Sequence, residues 1–388
     1  MLIHQITLNG LLSFGPESSP IDLQPLNVLI GPNGSGKSNL VEAISLLRSS
    51  PKNLSAPVKE AGGVSDWLWK GAPGSGASIE AIIDNKVKPD MPIRHFFSFA
   101  EHGMRFEVTA ERIENKEAYP GHDQPNYIYR MEGGHPRLKE LDTEGPGRPL
   151  PRETINPEES ILSQIRDPER YPLLTYLSEC YKQVRIYREW SFGRYTQPRQ
   201  PQKADLPTAY LTETCENLAL VLNSMRPKSK QVLLASLQSL YPGIDDFNVQ
   251  IQNGWVQLYL EEGRFSIPAS RLSDGTLRYL CLLAVLCHPD PPPLVCIEEP
   301  ELGLHPDVLP ELARLMISAS ERSQLIVTTH SDILVDALTE DPESVLVCEK
   351  HGGQTQIKRL DSQDLSRWLE RYRLGQLWLK GQLGGTRW

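Results

Sequence analysis

Residues 26–50 constrain the fold of this chain more tightly than any other stretch. They read LNVLI, then GPNGSGKS, then NLVEAISLLRSS. The first is a short apolar run of strand character, and the last repeats Leu40, Ala43 or Ile44, and Leu47 at helical spacing. Between them, Gly31-Pro32-Asn33-Gly34-Ser35-Gly36-Lys37-Ser38 satisfies G-x-x-x-x-G-K-[ST] in the context of strand, loop and helix that the motif requires. Glycines let successive backbone N–H groups turn inward as an anion nest, and the helix N-terminus adds positive potential. Lys37 can reach the β- and γ-phosphates of a nucleotide, and the Ser38 hydroxyl can ligate Mg²⁺. GAPGSGAS (71–78) is as rich in glycine but has no Lys-Ser and no helix after it, so it reads as an ordinary turn.

The C-terminal third repeats the α/β rhythm. A helix from about Ser273 to Cys287 precedes the strand LVCIEE, and a helix from about Pro306 to Ser320 leads to the strand QLIVTT (324–329). SVLVCEK and QTQIKRL read as a closing hairpin around His351-Gly352-Gly353. Short buried strands alternating with helices predict a largely parallel sheet covered on both faces. The organisation expected is residues 1–50 and 271–361 as two parts of one α/β phosphate-loop domain, 51–270 as an inserted middle lobe with β-rich and helical segments, and 362–388 as a tail.

In LVCIEEPELGLHP (294–306) an apolar strand ends in Glu298 and Glu299, with Glu301 close behind. Carboxylates at the mouth of a buried strand are costly unless a cation or a proton compensates them. A nucleotide with Mg²⁺ provides that cation, provided LVCIEE is a parallel strand neighbouring that of the phosphate loop. Glu298 would hold the metal, directly or through water. Glu299 would orient or deprotonate the attacking water, and His330 would contact the γ-phosphate. The rival reading, a transition-metal cluster of Glu298, Glu299, Glu301, His305 and His330, fits neither HExxH nor a Cys/His zinc spacing.

A formal net charge of −9 argues against a protein coated in positive charge. No stretch approaches the ~18 uninterrupted apolar residues of a membrane span, and MLIHQITLNG lacks the charged region and cleavage site of a signal peptide. The six cysteines show no CxxC spacing. These features predict a soluble, reduced, cytoplasmic protein without a membrane partner.

GPNGSGKSN, RLSDGT (271–276), LVCIEEPELGLHP and TTHS (328–331) follow one another in the order of Walker A, signature, Walker B with D-loop, and H-loop. In this the chain resembles ABC-type ATPase heads of the RecF/SMC/OLD branch. The resemblance implies an ABC-ATPase-like head with a mostly parallel sheet and an N-terminal β-rich lobe, binding ATP and Mg²⁺. It implies that Asn33, Gly34, Ser35, Gly36, Lys37, Ser38 and Asn39 cradle the phosphates, that Ser38 and Glu298 serve the metal, and that Glu299 and His330 serve catalysis. It also implies that Ser273 and Gly275 contact the γ-phosphate bound by a second subunit, closing a homodimer around two nucleotides. Two positions depart from the pattern: Asp274 stands where many relatives carry glycine, and Glu298 where aspartate is commoner. The Q-loop glutamine is not fixed, with Gln164, Gln183 and Gln197 as candidates.

Apolar a/d positions nowhere persist for three or four heptads, which separates the chain from SMC proteins with long coiled coils. Only 39 residues follow Glu349 and none forms a D-x-D, which argues against a Toprim nuclease. The expected function is therefore ATP hydrolysis gating DNA engagement or a separately encoded nuclease, by resemblance in bacterial defence or repair. The alternatives are a slowly hydrolysing assembly scaffold and a transporter ATPase subunit. Arg185, Arg188, Arg194, Arg199 and Lys203, interleaved with Tyr187, Trp190, Phe192 and Tyr195, form a candidate nucleic-acid contact. The tail LGQLWLKGQLGGTRW either folds back onto its own domain or docks a partner.

Overall fold

The computed structural model describes residues 1–71, 76–140, 143 and 145–385. At its centre lies a six-stranded sheet in the order Arg185–Tyr187, Leu294–Glu298, Gln324–Thr328, Leu26–Ile30, Val345–His351, Gln354–Arg359. The first five strands are parallel, and the sixth returns antiparallel through the expected Gly352-Gly353 turn. Alternation across this sheet explains its unbroken apolar strands. In Gln324–Thr328, Leu325 and Val327 enter one core with the helices Asp274–Leu286 and Leu309–Ser320. Ile326 enters the opposite core with the helices Lys37–Ser49 and Pro172–Gln183. Each face is thus buried under helices, as a parallel sheet requires.

One expectation fails here. Leu294–Glu298 is not adjacent to the phosphate-loop strand, because Gln324–Thr328 lies between them. Both are parallel strands with apolar cores, and hydropathy cannot rank such strands within a sheet.

The N-terminal β-rich lobe is an eight-stranded antiparallel sheet. Its order is Ile21–Asp22, Ile3–Asn9, Ala77–Ile83, Ile93–His102, Arg105–Asn115, Tyr127–Glu132, His135–Leu138, Arg148–Pro149. A third sheet pairs Asp246–Gln252 with Trp255–Glu262, flanked by Gln202–Lys203 and Phe265–Pro268. Residues 51–270 supply strands to all three sheets, so the segment expected as one inserted lobe is divided among them. Four residues of the glycine-rich turn expected at 71–78 lie outside the described residues.

A buried polar knot fastens the β-rich lobe to the helix Pro172–Gln183. Glu111 accepts hydrogen bonds from the Ser160 hydroxyl and the Ile161 amide, and its Oε1 lies 3.2 Å from His95 Nε2. The other ring nitrogen of His95 meets the Tyr181 hydroxyl at 2.9 Å. Burying such groups is tolerable only because each finds a partner.

The longest helix among the described residues, Leu218–Leu240, has 23 residues with Pro227 inside it. No helix among the described residues is long and apolar enough to cross a membrane. The helix Leu374–Leu379 packs on Asp332–Asp336, burying Leu374, Leu377 and Trp378 and leaving Leu379 exposed. The tail therefore folds back onto its own domain through residue 385, and its remaining residues 386–388 lie outside the described set.

Candidate nucleotide and metal site

The phosphate loop leaves its strand at Gly31 and turns on positive φ at Gly31 (146°), Gly34 (80°) and Gly36 (104°). A Cβ at Gly36 would collide with the Thr355 and Ser13 hydroxyls, so glycine is required for packing as well as for φ. No side chain caps the helix Lys37–Ser49, and no acidic residue enters its first turn, which leaves its N-terminus suited to an anion. Ser13 and Thr355 lie 2.6 Å apart and brace the loop: Thr355 donates to Ser35 O at 2.8 Å, and Asn39 donates to Ser13 Oγ at 2.6 Å. The Asn39 side-chain amide is thus turned to Ser13, bracing the loop.

Lys37 is buried and folded onto the loop, donating to Gly31 O at 2.8 Å and Pro32 O at 3.2 Å. Burial lowers its ammonium pKa, against the opposing charges of Glu299, Glu298 and Glu301 nearby. The Ser38 hydroxyl donates to Glu298 Oε2 at 3.3 Å. Burial raises the Glu298 carboxyl, and Arg188 is the first influence that pulls it back.

Arg188 is the site residue that sequence reasoning placed elsewhere. Its Nη1 donates to Glu42 Oε1 at 2.5 Å, and its Nε lies 3.8 Å from Glu298 Oε1. It is the first residue after Arg185–Tyr187, the strand beside Leu294–Glu298. The rule that ligands gather at the C-terminal ends of parallel strands is the signal that finds it. Among the described residues, none of Gln164, Gln183 or Gln197 hydrogen-bonds to a residue of this site; Gln164, for one, is held by Asn156 and Glu159.

Ser35 Oγ, Glu298 Oε1, and Arg188 Nε and Nη2 are buried without hydrogen-bond partners among the described residues. An anion facing the loop and a cation between Ser38 and Glu298 would satisfy such groups, so the residues present fit a nucleotide with Mg²⁺.

Glu299 follows with φ 47°, a left-handed conformation uncommon outside glycine. It is held by its amide, which donates to Thr328 O at 2.9 Å. Strain of this kind gathers at functional sites, where it fixes the direction of a side chain. Glu299 Oε1 comes to 3.7 Å from His330 Nε2. Glu301 Oε1 accepts from the His330 amide at 2.8 Å and from Thr329 Oγ1 at 2.7 Å, so this carboxylate orients the His330 loop.

Ser273 caps the helix Asp274–Leu286, its Oγ accepting from the Thr276 amide at 3.0 Å. Gly275 packs against the loop after Glu299, where a Cβ would stand 2.7 Å from Gly303 O. Among the described residues no hydrogen bond joins Ser273 or Gly275 to the phosphate loop of the same chain. The charge of Asp274 is met by Arg199, which also donates to Leu272 O at 2.5 Å and Phe192 O at 2.8 Å.

That contact also removes Arg199 from the candidate nucleic-acid face. Arg199, Tyr187 and Phe192 are buried, Arg188 serves the acidic site, and Arg185 lies over the Tyr210 ring. Of the segment's aromatic residues, Tyr195 stays fully exposed. Part of this basic and aromatic segment is internal packing, while Arg194, Tyr195 and Lys203 remain at the surface.

A family model described as "AAA domain, putative AbiEii toxin, Type IV TA system" matches residues 26–336. None of the curated proteins is a significant match. Among solved structures, the fold is similar to an Smc head bound to the C-terminal winged-helix domain of ScpA (TM-score 0.59, 15% identity, covering 95% of this chain and 100% of that one). It is also similar to an Smc head with an extended coiled coil, bound to the C-terminal domain of ScpA, from Pyrococcus furiosus (TM-score 0.58, 14% identity, 95% and 99%). An Smc head with a coiled coil and joint from Pyrococcus yayanosii gives a TM-score of 0.53 at 13% identity, covering 95% and 99%.

Proposed function

The chain belongs to this AAA-domain family, and from that premise we propose that it binds ATP with Mg²⁺ at the phosphate loop and hydrolyses it. The observation that carries the reading is the meeting of the Ser38 hydroxyl and the Glu298 carboxylate at 3.3 Å, from elements brought together only by the sheet. Two hard oxygen donors beside an anion nest are a donor set for Mg²⁺. When bound, the metal would neutralise charge on the transferred phosphoryl group.

The protein's own groups divide the remaining work. The phosphate loop, Asn33 to Asn39, receives the phosphates at the uncapped start of the helix Lys37–Ser49. Lys37 exchanges its bonds to Gly31 O and Pro32 O for phosphate oxygens. Arg188 opposes the rise that burial imposes on the Glu298 carboxyl. Glu299 accepts the proton of the attacking water, and His330, positioned by Glu301, faces the γ-phosphate.

We extend the proposal to a second copy of the chain. Ser273 caps the helix that Asp274 and Gly275 begin, an arrangement that suits the nucleotide of a partner head. Closure on ATP and reopening on hydrolysis would then gate DNA engagement or a separately encoded effector such as a nuclease. The family's description, which names a toxin–antitoxin system, is in keeping with a role in bacterial defence.

Light-scattering mass of Glu299→Gln, with and without ATP and Mg²⁺, tests this reading. The expected result is ATP retention with a shift from monomer to dimer. Retention of ATP by Lys37→Ala would overturn the assignment of the site, and a persistent ATP-bound monomer would overturn the role given to Ser273 and Gly275.

A further inference from the structure

Residues 373–385 touch both the phosphate loop and the helix that follows His330. At one end they grip the helix Asp332–Asp336, which starts two residues after His330 and is capped by Ser331. Arg373 Nε pairs with Asp336 Oδ2 at 3.0 Å, the Gly375 amide donates to Asp336 Oδ1 at 3.0 Å, and the Leu374 amide donates to Thr339 Oγ1 at 3.1 Å. Gly375 is pressed so closely on this helix that a Cβ would collide with Asp332 O.

At the other end the chain turns on Gly384 and Gly385, both at positive φ, and lies against the phosphate loop. A Cβ at Gly385 would stand 3.3 Å from Gly31 Cα and 3.0 Å from Val347 Cγ1. Two bonds fix Gly385 there: its carbonyl accepts from Trp378 Nε1 at 3.2 Å, and its amide donates to Glu349 Oε1 at 2.9 Å. Glu349 is steadied in turn by His351, 3.2 Å from its other oxygen. Gly31 is the residue whose carbonyl holds the Lys37 ammonium.

We propose that residues 373–385 form a positioning strap tying the phosphate loop to the helix behind His330, with Trp378, Glu349 and Gly385 as positioning residues that act on Lys37 through Gly31. The inference rests on the nucleotide reading of the site. Binding a nucleotide takes Lys37 from the Gly31 carbonyl, so the strap fixes the part of the loop that has to hold its place while the lysine moves. Preorganisation of this kind raises affinity for the nucleotide without entering the chemical step. It also gives Glu349 a use that explains its place at the mouth of a strand without a nuclease metal.

The test compares Gly385→Val and Trp378→Phe with wild type and with Leu379→Ala, an exposed position on the same helix. Gly385→Val drives a branched side chain at Gly31, and Trp378→Phe keeps the ring packing while losing the N–H donor. Expected is a rise of about fivefold or more in the KM and Kd for ATP-Mg²⁺, with kcat at saturation within about twofold of wild type, for both variants but not for Leu379→Ala. Wild-type Kd in a folded Gly385→Val and Trp378→Phe overturns the strap. A wild-type chain that binds no ATP overturns the nucleotide reading instead. Hydrogen exchange of amides 31–38 without nucleotide then decides the strap by itself: faster exchange in Gly385→Val supports it, and unchanged exchange overturns it.

Discussion

Glu299 and His330 approach to 3.7 Å although they leave the ends of adjacent parallel strands in different ways: Glu299 on a left-handed backbone, His330 on a loop held by Glu301. A water between this carboxylate and a γ-phosphate would meet a base already aimed by the main chain. Glu299→Gln keeps the shape and removes the basicity. It should lower kcat by about 10²- to 10⁴-fold with nucleotide affinity retained, measured by single-turnover hydrolysis beside equilibrium binding. Loss of affinity with kcat kept would assign Glu299 to binding.

Arg188 opposes the effect of burial on the Glu298 carboxyl. Arg188→Ala should raise that carboxyl further, so more of it is protonated at any given pH and fewer Mg²⁺ ligands are available. The expected cost is about tenfold in Mg²⁺ affinity in the presence of nucleotide, of the size seen for outer-shell partners of metal ligands. Because protonation competes with metal, the deficit should grow as pH falls, which titration calorimetry at two pH values measures. An equal deficit at both would mean that Arg188 contacts phosphate instead.

Glu111→Ala would strand His95, the Ser160 hydroxyl and the Ile161 amide in a closed interior. Breaking a buried polar knot from one side costs about 3–5 kcal/mol, and urea unfolding should show a loss in that range. The site lies outside this knot, so ATP affinity of the remaining folded protein should stay near wild type.

The Glu349 carboxyl is held below its ordinary value, first by the Gly385 amide and then by His351. A depressed carboxyl contributes stability that is fully present above its unfolded-state pKa, about 4.5, and is lost as pH falls through the lower folded value. The strap should therefore loosen only on acidification below about pH 4.5. Protection of the Gly385 amide against hydrogen exchange should fall there in wild type, and Glu349→Ala should show the lowered protection already at neutral pH.

Much of this was legible in the sequence because it is local. GPNGSGKS carries its own strand, turn and helix, and the run from Leu294 ends in carboxylates that demand a cation. Strand order was not legible, since LVCIE and QLIVT are equally apolar and only the assembled sheet decides which stands beside Leu26–Ile30. Arg188 and Arg199 were misread for a related reason. Each finds its acidic partner far along the chain, at Glu298 and Asp274, and a basic residue near aromatic ones looks the same whether it faces water or such a partner.

The strand order also sets a timetable for biosynthesis. Leu26–Ile30 emerges early, yet it pairs on one side with residues such as Leu325 and on the other with Val345 to Val347. At ~5–20 residues per second, roughly 300 residues of synthesis separate the phosphate loop from the strands that hold it. For those tens of seconds the nascent chain carries the motif without the pocket. Premature termination before the last parallel strand leaves a fragment in which the phosphate-loop strand lacks its partner on one side.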